Sequence, residues 1–226
     1  LSRGIVRQIF RSINSISSPF RGPSEFVAEL SILPDDNSVV DLINISEVLD
    51  IAPYRATCMI AEDRLIYDYD FTPPANMDRI SGRSVRQREM PVPPLDSFGT
   101  GGLHRLVGPV LIEFRIYDLD SQVLTYLVTD KKGFKDFLKQ NGGVRVYRDG
   151  VRVYDYGEPG NDWLELGGSR VNDPTAKVSI NQIIGAVHLD GAQSSALREK
   201  TNREGFIEDE TFRLFREAVR FALAQI

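Results

Sequence analysis

The polar segment at residues 201–206 (TNREGF), just ahead of the last predicted helix, contains a residue suited to binding phosphate. The guanidinium of Arg203 carries several fixed N–H donors, and these can pair with phosphate oxygens two at a time. An Arg at this position can equally form a salt bridge or cap the following helix. The segment therefore predicts either an anion contact or a structural Arg.

A glycine-rich run at residues 99–102 (GTGG) is a second place where backbone N–H groups could cradle a phosphate. It has neither the Lys of a P-loop nor the spacing of either glycine-rich nucleotide fingerprint, and no clear strand precedes it. A flexible loop is the interpretation that these features favour.

Nucleophilic catalysis and metal binding have little support in the side chains present. The only histidines are His104 and His188, the only cysteine is Cys58, and the three occur in unrelated contexts. They form no catalytic triad pattern and no cluster with metal-ligand spacing. His188 falls within a predicted strand, which favours a structural role, and the single cysteine fits a reducing, cytoplasmic setting.

Two further polar features have structural explanations. Asp149 and Asp155 flank a predicted hairpin, where a turn residue and a strand-end residue account for them without chemistry. Residues 157–163 (GEPGNDW) combine turn formers with the only tryptophan of the chain, Trp163. We expect burial of its indole to anchor a long loop, and ligand binding is the alternative.

The elements that position these residues follow from periodicity. Helical spacing predicts an amphipathic helix at the start of the chain, a short helix over 46–51, a helix over 132–140 and a last helix from about 208. Alternation predicts strands over 26–33, 54–60, 64–71, 110–117, 123–128 and 182–189. Residues 144–147 and 151–154 surround Asp149-Gly150, which is typical of a hairpin with a type I′ turn.

Residues 72–105 contain five prolines and many charges without sustained periodicity, which predicts a long, mobile loop. Outside this loop, helices and strands are interspersed without strict βαβ alternation. The fold class predicted from this order is α+β, a mixed sheet with packed helices, rather than a doubly wound parallel sheet.

The composition is that of a globular protein. The chain has 226 residues, 42% of them hydrophobic, and a formal net charge of −5, so it lacks the overall basic excess of a nucleic-acid-binding protein. No apolar run reaches the roughly 20 residues of a membrane span, and we expect no membrane partner. Because the first residue is Leu1 rather than Met, we expect a fragment of a longer protein.

Four separated motifs, in this order and spacing, resemble bacterial ATPases related to the ninety-kilodalton heat-shock chaperones and to the MORC proteins. They are residues 142–153 (GGVRVYRDGVRV), 156–164 (YGEPGNDWL), 181–185 (NQIIG) and 201–206 (TNREGF). The resemblance is densest from about residue 108 onward, and the first hundred residues match only loosely. These ATPases belong to the gyrase B, heat-shock chaperone, histidine kinase and MutL superfamily.

The resemblance implies a transducer-type domain with a left-handed βαβ crossover, which senses nucleotide bound by a preceding ATP-binding sandwich. Residues 1–33 would be the last helix and strand of that sandwich, 34–107 a connecting hairpin and mobile loop, and 108–226 the transducer-like domain. The catalytic Glu, the magnesium-binding Asn and the adenine loop of the superfamily are absent from this sequence. ATP and Mg²⁺ would therefore bind mainly upstream, and the chain alone is expected to be inactive.

Residues 201–204 resemble a short chaperone segment whose Arg reaches the γ-phosphate when the domains dock, which makes Arg203 the expected phosphate sensor. Other members use a Lys from a transducer loop, so Lys200 and Lys177 are competing candidates. The superfamily also implies a homodimer that acts on a client protein or nucleic acid. No metal ligands are assigned within this chain.

Two other classes of function stay open. One is a protein-interaction or oligomerisation module, which would use the last helix and the proline-rich loop as contact surfaces without sensing nucleotide. The other is a stand-alone enzyme, for which residues 157–179 offer carboxylates and an Arg but no clear nucleophile or base. Nucleotide response after Arg203→Ala distinguishes the first from a transducer, and activity of the isolated chain is required by the second.

Overall fold

The structure is a computed structural model that describes residues 5, 9, 11–13, 15–20, 45–74, 77, 79–93, 102–167, 178–201 and 204–226. The elements, in chain order, are α1 (Ile45–Asp50), β1 (Tyr54–Ala61), β2 (Arg64–Phe71), β3 (Arg83–Pro91), α2 (Gly102–Val107), β4 (Val110–Ile116), α3 (Ser121–Leu127), α4 (Lys131–Asn141), β5 (Gly143–Arg148), β6 (Val151–Val153), a 3₁₀ turn (Ile180–Gln182), β7 (Ile183–Leu189) and α5 (Glu210–Leu223).

The strands form one mixed sheet in the order β3-β2-β1-β4-β7-β5-β6. All neighbouring pairs are antiparallel except β5 and β7, which are parallel. The last strand in sequence, β7, therefore lies between β4 and β5. This arrangement confirms the predicted α+β class with a mixed sheet and packed helices.

One face of the sheet carries the main core. Alternate residues of β1 and β4 point to this face, and the apolar side of α5 packs over it. The fully enclosed members include Cys58, Ile112, Phe114, Val146, Phe215 and Val219. A smaller cluster on the opposite face joins Tyr117, Ile184, Leu124, Phe134 and Leu138 with residues of α1.

Most predicted elements agree with the structure within a residue or two. The hairpin of β5 and β6 turns at Asp149 and Gly150, which have φ of 52° and 79°, as a type I′ turn requires. The Asp149 carboxylate accepts a hydrogen bond from the backbone N–H of Gly191 at 2.8 Å, which confirms its structural role. The predicted strand over 26–33 lies outside the described residues.

The strand predicted over 123–128 is wrong, because residues 123–127 belong to helix α3 and Val128 is its C-terminal cap. Val123, Tyr126 and Val128 have high β propensity, which misled the prediction. The Asp120 carboxylate caps the helix by accepting the N–H of Gln122 at 2.7 Å, and Leu124 is buried against α4 and the sheet. Capping and burial therefore outweigh the local preference.

The long loop predicted over 72–105 contains a regular strand, β3, which pairs with β2 and has a register shift near Tyr69. Strand β3 is the last described strand on its side of the sheet, and its side chains are mostly exposed on both faces. Alternation arises when one face of a strand is buried, so an exposed polar strand gives no periodic signal. Helix α2 also begins within the predicted loop.

The N-terminal segment, residues 5–20 as far as they are described, begins in helical conformation. Ile5 and Ile9, two members of the predicted apolar stripe, are 46% and 38% exposed. No helix in the described part of the chain is long and apolar enough to cross a lipid bilayer.

Cys58 provides a test of the core packing. Its thiol is fully buried in β1, and burial, with a smaller contribution from the Asp68 charge, raises its pKa from 9.0 to about 12. We expect no reaction with a disulfide reagent at pH 8 in the folded protein and rapid reaction in denaturant. Labelling of the folded chain at the rate of a free thiol would contradict this packing.

The raised pKa of Cys58 makes the free energy of unfolding depend on pH. Because the fold favours the neutral thiol, this contribution to stability is complete below pH 9 and is lost as the pH rises from about 9 towards 12.

Candidate functional site

The 198–207 loop, which contains the predicted sensor segment, is a narrow hairpin-like loop. The backbone N–H of Lys200 donates to the carbonyl of Gly205 at 2.9 Å, and that of Ile207 donates to the carbonyl of Arg198 at 2.8 Å. Glu199 and Phe206 form an antiparallel bridge. These contacts close the base of the loop and leave Thr201 beyond it, at the start of the tip.

Arg148, at the end of β5, fixes the base of this loop. Its guanidinium donates to the carbonyls of Ser194 at 2.8 Å and Leu197 at 2.7 Å, and it pairs with the Glu199 carboxylate at 3.0 Å. The same guanidinium lies over the Phe206 ring, 4.8 Å from its centroid. A single side chain therefore ties the loop to the central sheet.

Tyr156 is the second anchor. Its hydroxyl accepts a hydrogen bond from the backbone N–H of Phe206 at 2.8 Å, and its ring stacks against those of Phe206 and Phe212. Burial raises the pKa of this phenol to about 12, so it stays protonated. Trp163 packs on the same aromatic group, and its indole N–H donates to the Val144 carbonyl at 2.8 Å.

These contacts confirm that Trp163 anchors the segment after β6. They also bring together the two segments that the sequence singles out, residues 157–163 and 201–206. The Trp163 ring packs on Tyr156, which in turn stacks on Phe206. The sequence singles out each segment by its composition but does not predict that they meet. In the structure the described residues of both segments lie at one site.

A cavity of 280 Å³ lies between them. Its polar lining includes three carboxylates, from Asp155, Glu204 and Glu208, and two cationic side chains, from Lys200 and Arg216. Lys200 Nζ lies 4.0 Å from a Glu208 carboxylate oxygen. Because the lining is more acidic than basic, the cavity does not suit a polyphosphate.

Of the three predicted phosphate-contacting residues, only Lys200 is described. It lies at the start of the loop tip with its side chain 45% exposed. Arg203 and Lys177 lie outside the described residues, and their roles stay predictions. Among the residues that are described, no group of three or more His, Cys, Asp or Glu side chains could hold a metal ion.

A buried charged cluster beside this site was not predicted. The Arg152 side chain, 1% exposed, pairs with one carboxylate oxygen of Glu158 at 2.6 Å, and Arg11 of the N-terminal segment pairs with the other at 2.5 Å. Arg145 is also buried, and burial lowers its pKa. Alternation in β5 and β6 would place these Arg residues towards solvent, whereas the structure shows that face covered.

His188 occupies β7 as predicted. Its imidazole lies 3.1 Å from the Glu113 carboxylate and stacks on Tyr147, with ring centroids 5.7 Å apart. These contacts account for a polar side chain on a covered sheet face.

Comparison of the chain with protein-family models, with curated proteins and with solved structures finds no match.

Proposed function

We propose that this chain is the transducer-type part of an ATP-driven machine of the gyrase B, heat-shock chaperone, histidine kinase and MutL class. The 198–207 loop would carry the γ-phosphate contact, with Arg203 as first candidate and Lys200 and Lys177 as competitors. The proposal includes the left-handed crossover of such domains, a cytoplasmic homodimer, and a client protein or nucleic acid.

The observation that carries the proposal is the way the 198–207 loop is held. Arg148 and Tyr156 fix its base through side-chain hydrogen bonds, while Lys200 and Thr201 at the tip are exposed. A cation that must meet a phosphate in another domain needs a rigid support and an open tip. The resemblance of the four motifs to the superfamily suggests that the ligand is the γ-phosphate of ATP.

ATP and Mg²⁺ would be bound mainly by a preceding ATP-binding domain. The described residues fit this division of labour, since the cavity beside the loop has an acidic excess in its lining. What this chain contributes is a guanidinium that meets the terminal phosphate only when the domains dock. Such a contact stabilises the charge that develops during phosphoryl transfer, and an Arg in this role typically contributes about 10³-fold or more to the rate.

The test is ATP binding by calorimetry, together with turnover, on this chain and on a version extended upstream by roughly the size of one domain. We expect no binding by the chain alone, and binding and turnover by the extended protein. Arg203→Ala should lower turnover about 10³-fold or more, as expected for loss of a transition-state charge contact.

Two comparisons make the result specific. Arg213→Ala removes an Arg from the exposed side of α5, where it pairs with Glu210, and should leave turnover unchanged. Lys200→Ala and Lys177→Ala show whether a lysine performs the role instead. ATP binding by the isolated chain would overturn the proposal, and a normal nucleotide response in the Arg203, Lys200 and Lys177 variants would favour an interaction module.

A further inference from the structure

Residues 152–158, which are the end of β6 and the five residues after it, contact two parts of the chain that are far apart in sequence. On one side lies the N-terminal segment, and on the other lies the 198–207 loop. Tyr154 takes part in both sets of contacts, through its hydroxyl on the first side and its backbone on the second.

The contacts with the N-terminal segment are polar and closely spaced. Arg11 pairs with Glu158 at 2.5 Å, and the hydroxyl groups of Ser15 and Tyr154 share a hydrogen bond at 3.3 Å. The backbone N–H of Arg152 donates to the carbonyl of Ile16 at 3.1 Å. Residues 15 and 16 therefore lie along the outer edge of β6.

Tyr154 and Tyr156 make the contacts with the 198–207 loop. Tyr154 forms a parallel β-bridge with Glu204, and Tyr156 accepts the Phe206 N–H at 2.8 Å. Tyr154 thus contacts the N-terminal segment through its hydroxyl and the loop through its backbone.

The linking residues are themselves tightly held. The Arg152 guanidinium donates to the Tyr156 carbonyl at 3.1 Å as well as pairing with Glu158. Gly157 has φ of 72°, and a Cβ at this position would lie 2.8 Å from the Val144 carbonyl group. The backbone of Gly157, between Tyr156 and Glu158, is therefore closely packed against β5.

We propose that residues 152–158 transmit the position of the N-terminal segment to the 198–207 loop. Glu158 and Tyr156 are the positioning residues. Glu158 fixes the N-terminal segment through Arg11 and the hairpin through Arg152, and Tyr156 fixes the loop through the Phe206 amide. Loss of the Arg11–Glu158 pair therefore weakens the hydrogen bond between Tyr156 and the Phe206 amide.

The functional meaning of this link rests on the proposed function. If the N-terminal segment continues from an ATP-binding domain, a change in the position of that domain alters the support of the loop that carries Arg203. The free-energy difference between a firmly held loop and a loosened loop then depends on how the N-terminal segment is docked. This dependence couples the position of the N-terminal segment to that of the loop.

The test is hydrogen–deuterium exchange of the Phe206 amide in this chain, which requires no ATP. Arg11→Glu places a carboxylate beside Glu158 and should release the N-terminal segment. We expect exchange at Phe206 to become about tenfold faster, the change that corresponds to a local opening easier by about 1.4 kcal/mol.

Three further variants distinguish transmission through residues 152–158 from a general loosening of the fold. Arg11→Lys keeps the charge pair and should keep exchange within about twofold of the original chain. Arg64→Glu breaks an exposed ion pair with Glu89, in which the two side chains lie a similar 2.6 Å apart, and should leave Phe206 unchanged. Tyr156→Phe removes the acceptor, and adding Arg11→Glu to it should have less than the additive effect.

The link is refuted if Arg11→Glu accelerates exchange only in the N-terminal segment, or if its effect at Phe206 adds fully to that of Tyr156→Phe. The outcome is independent of the ATP experiment. An exchange response at Phe206, together with turnover that is insensitive to the Arg203, Lys200 and Lys177 substitutions, supports the link and refutes the nucleotide role. An unchanged Phe206 amide, together with turnover lowered by one of these substitutions, refutes the link and supports the nucleotide role.

Discussion

Replacement of Phe215 by Ala is expected to lower the free energy of unfolding by about 3–5 kcal/mol, a large share of the stability of an ordinary domain. Phe215 is fully buried on α5, and its ring stacks on Trp163 with centroids 5.6 Å apart. It also meets Phe206 and Phe212 at 6.2 and 6.3 Å. Removal of the ring leaves a cavity at the centre of the aromatic group that supports the 198–207 loop.

Urea unfolding followed by fluorescence measures this effect, because Trp163 is the only tryptophan and lies against the altered position. The native emission should also change, since the indole loses its stacking partner. Tyr126→Ala is a suitable control, as Tyr126 is an aromatic helix residue that is 46% exposed, and its loss should cost about 0.5 kcal/mol or less. Similar losses in the two variants would argue against an aromatic core at Phe215.

Neutralisation of Glu158 is expected to lower the free energy of unfolding by about 3 kcal/mol. Glu158→Gln keeps the size of the side chain but removes the only carboxylate that pairs with the Arg152 side chain among the described residues. The Arg152 side chain is 1% exposed, so its charge is left without compensation in a poorly solvated place. The Glu158 side chain is 25% exposed, which places the expected loss at the lower end for a buried pair.

Glu165 offers a matched control because it also pairs with two arginines, Arg216 at 3.3 Å and Arg220 at 2.7 Å. Its side chain is 55% exposed, so Glu165→Gln should cost less than about 1 kcal/mol in the same urea experiment. Equal small effects of the two substitutions would mean that the Arg152 charge is well solvated. The ion pairs of Glu158 with Arg152 and Arg11 would then contribute little to holding the hairpin against the N-terminal segment.

Sequence patterns predict an element well where burial and local preference agree. The β5–β6 hairpin is an example, because Asp149-Gly150 suits the turn and the flanking strands alternate. The patterns fail where a tertiary contact decides. Residues 123–128 prefer a strand, yet the Asp120 cap and the burial of Leu124 make residues 123–127 helical. Strand β3 has no buried face, so its pairing with β2 could not be detected by alternation.

The candidate site shows the same limit. The unusual composition of residues 157–163 and 201–206 indicates that each segment matters, but their contact depends on Tyr156 and Phe206, which stack across fifty positions of the chain. The Arg11–Glu158–Arg152 cluster could not be predicted, because alternation cannot reveal that another segment covers the polar face of β6. Only the burial of Arg152 shows that its charge must be paired.

The position of β7 in the sheet also constrains how the protein folds during synthesis. Strands β1 to β4 can pair with one another as soon as they emerge, and β5 can pair with β6. These two groups have no strand in common until β7 enters between β4 and β5. Each group therefore exposes an unpaired edge until residues 183–189 leave the ribosome, and this interval is when a nascent chain is most vulnerable to aggregation or to chaperone capture.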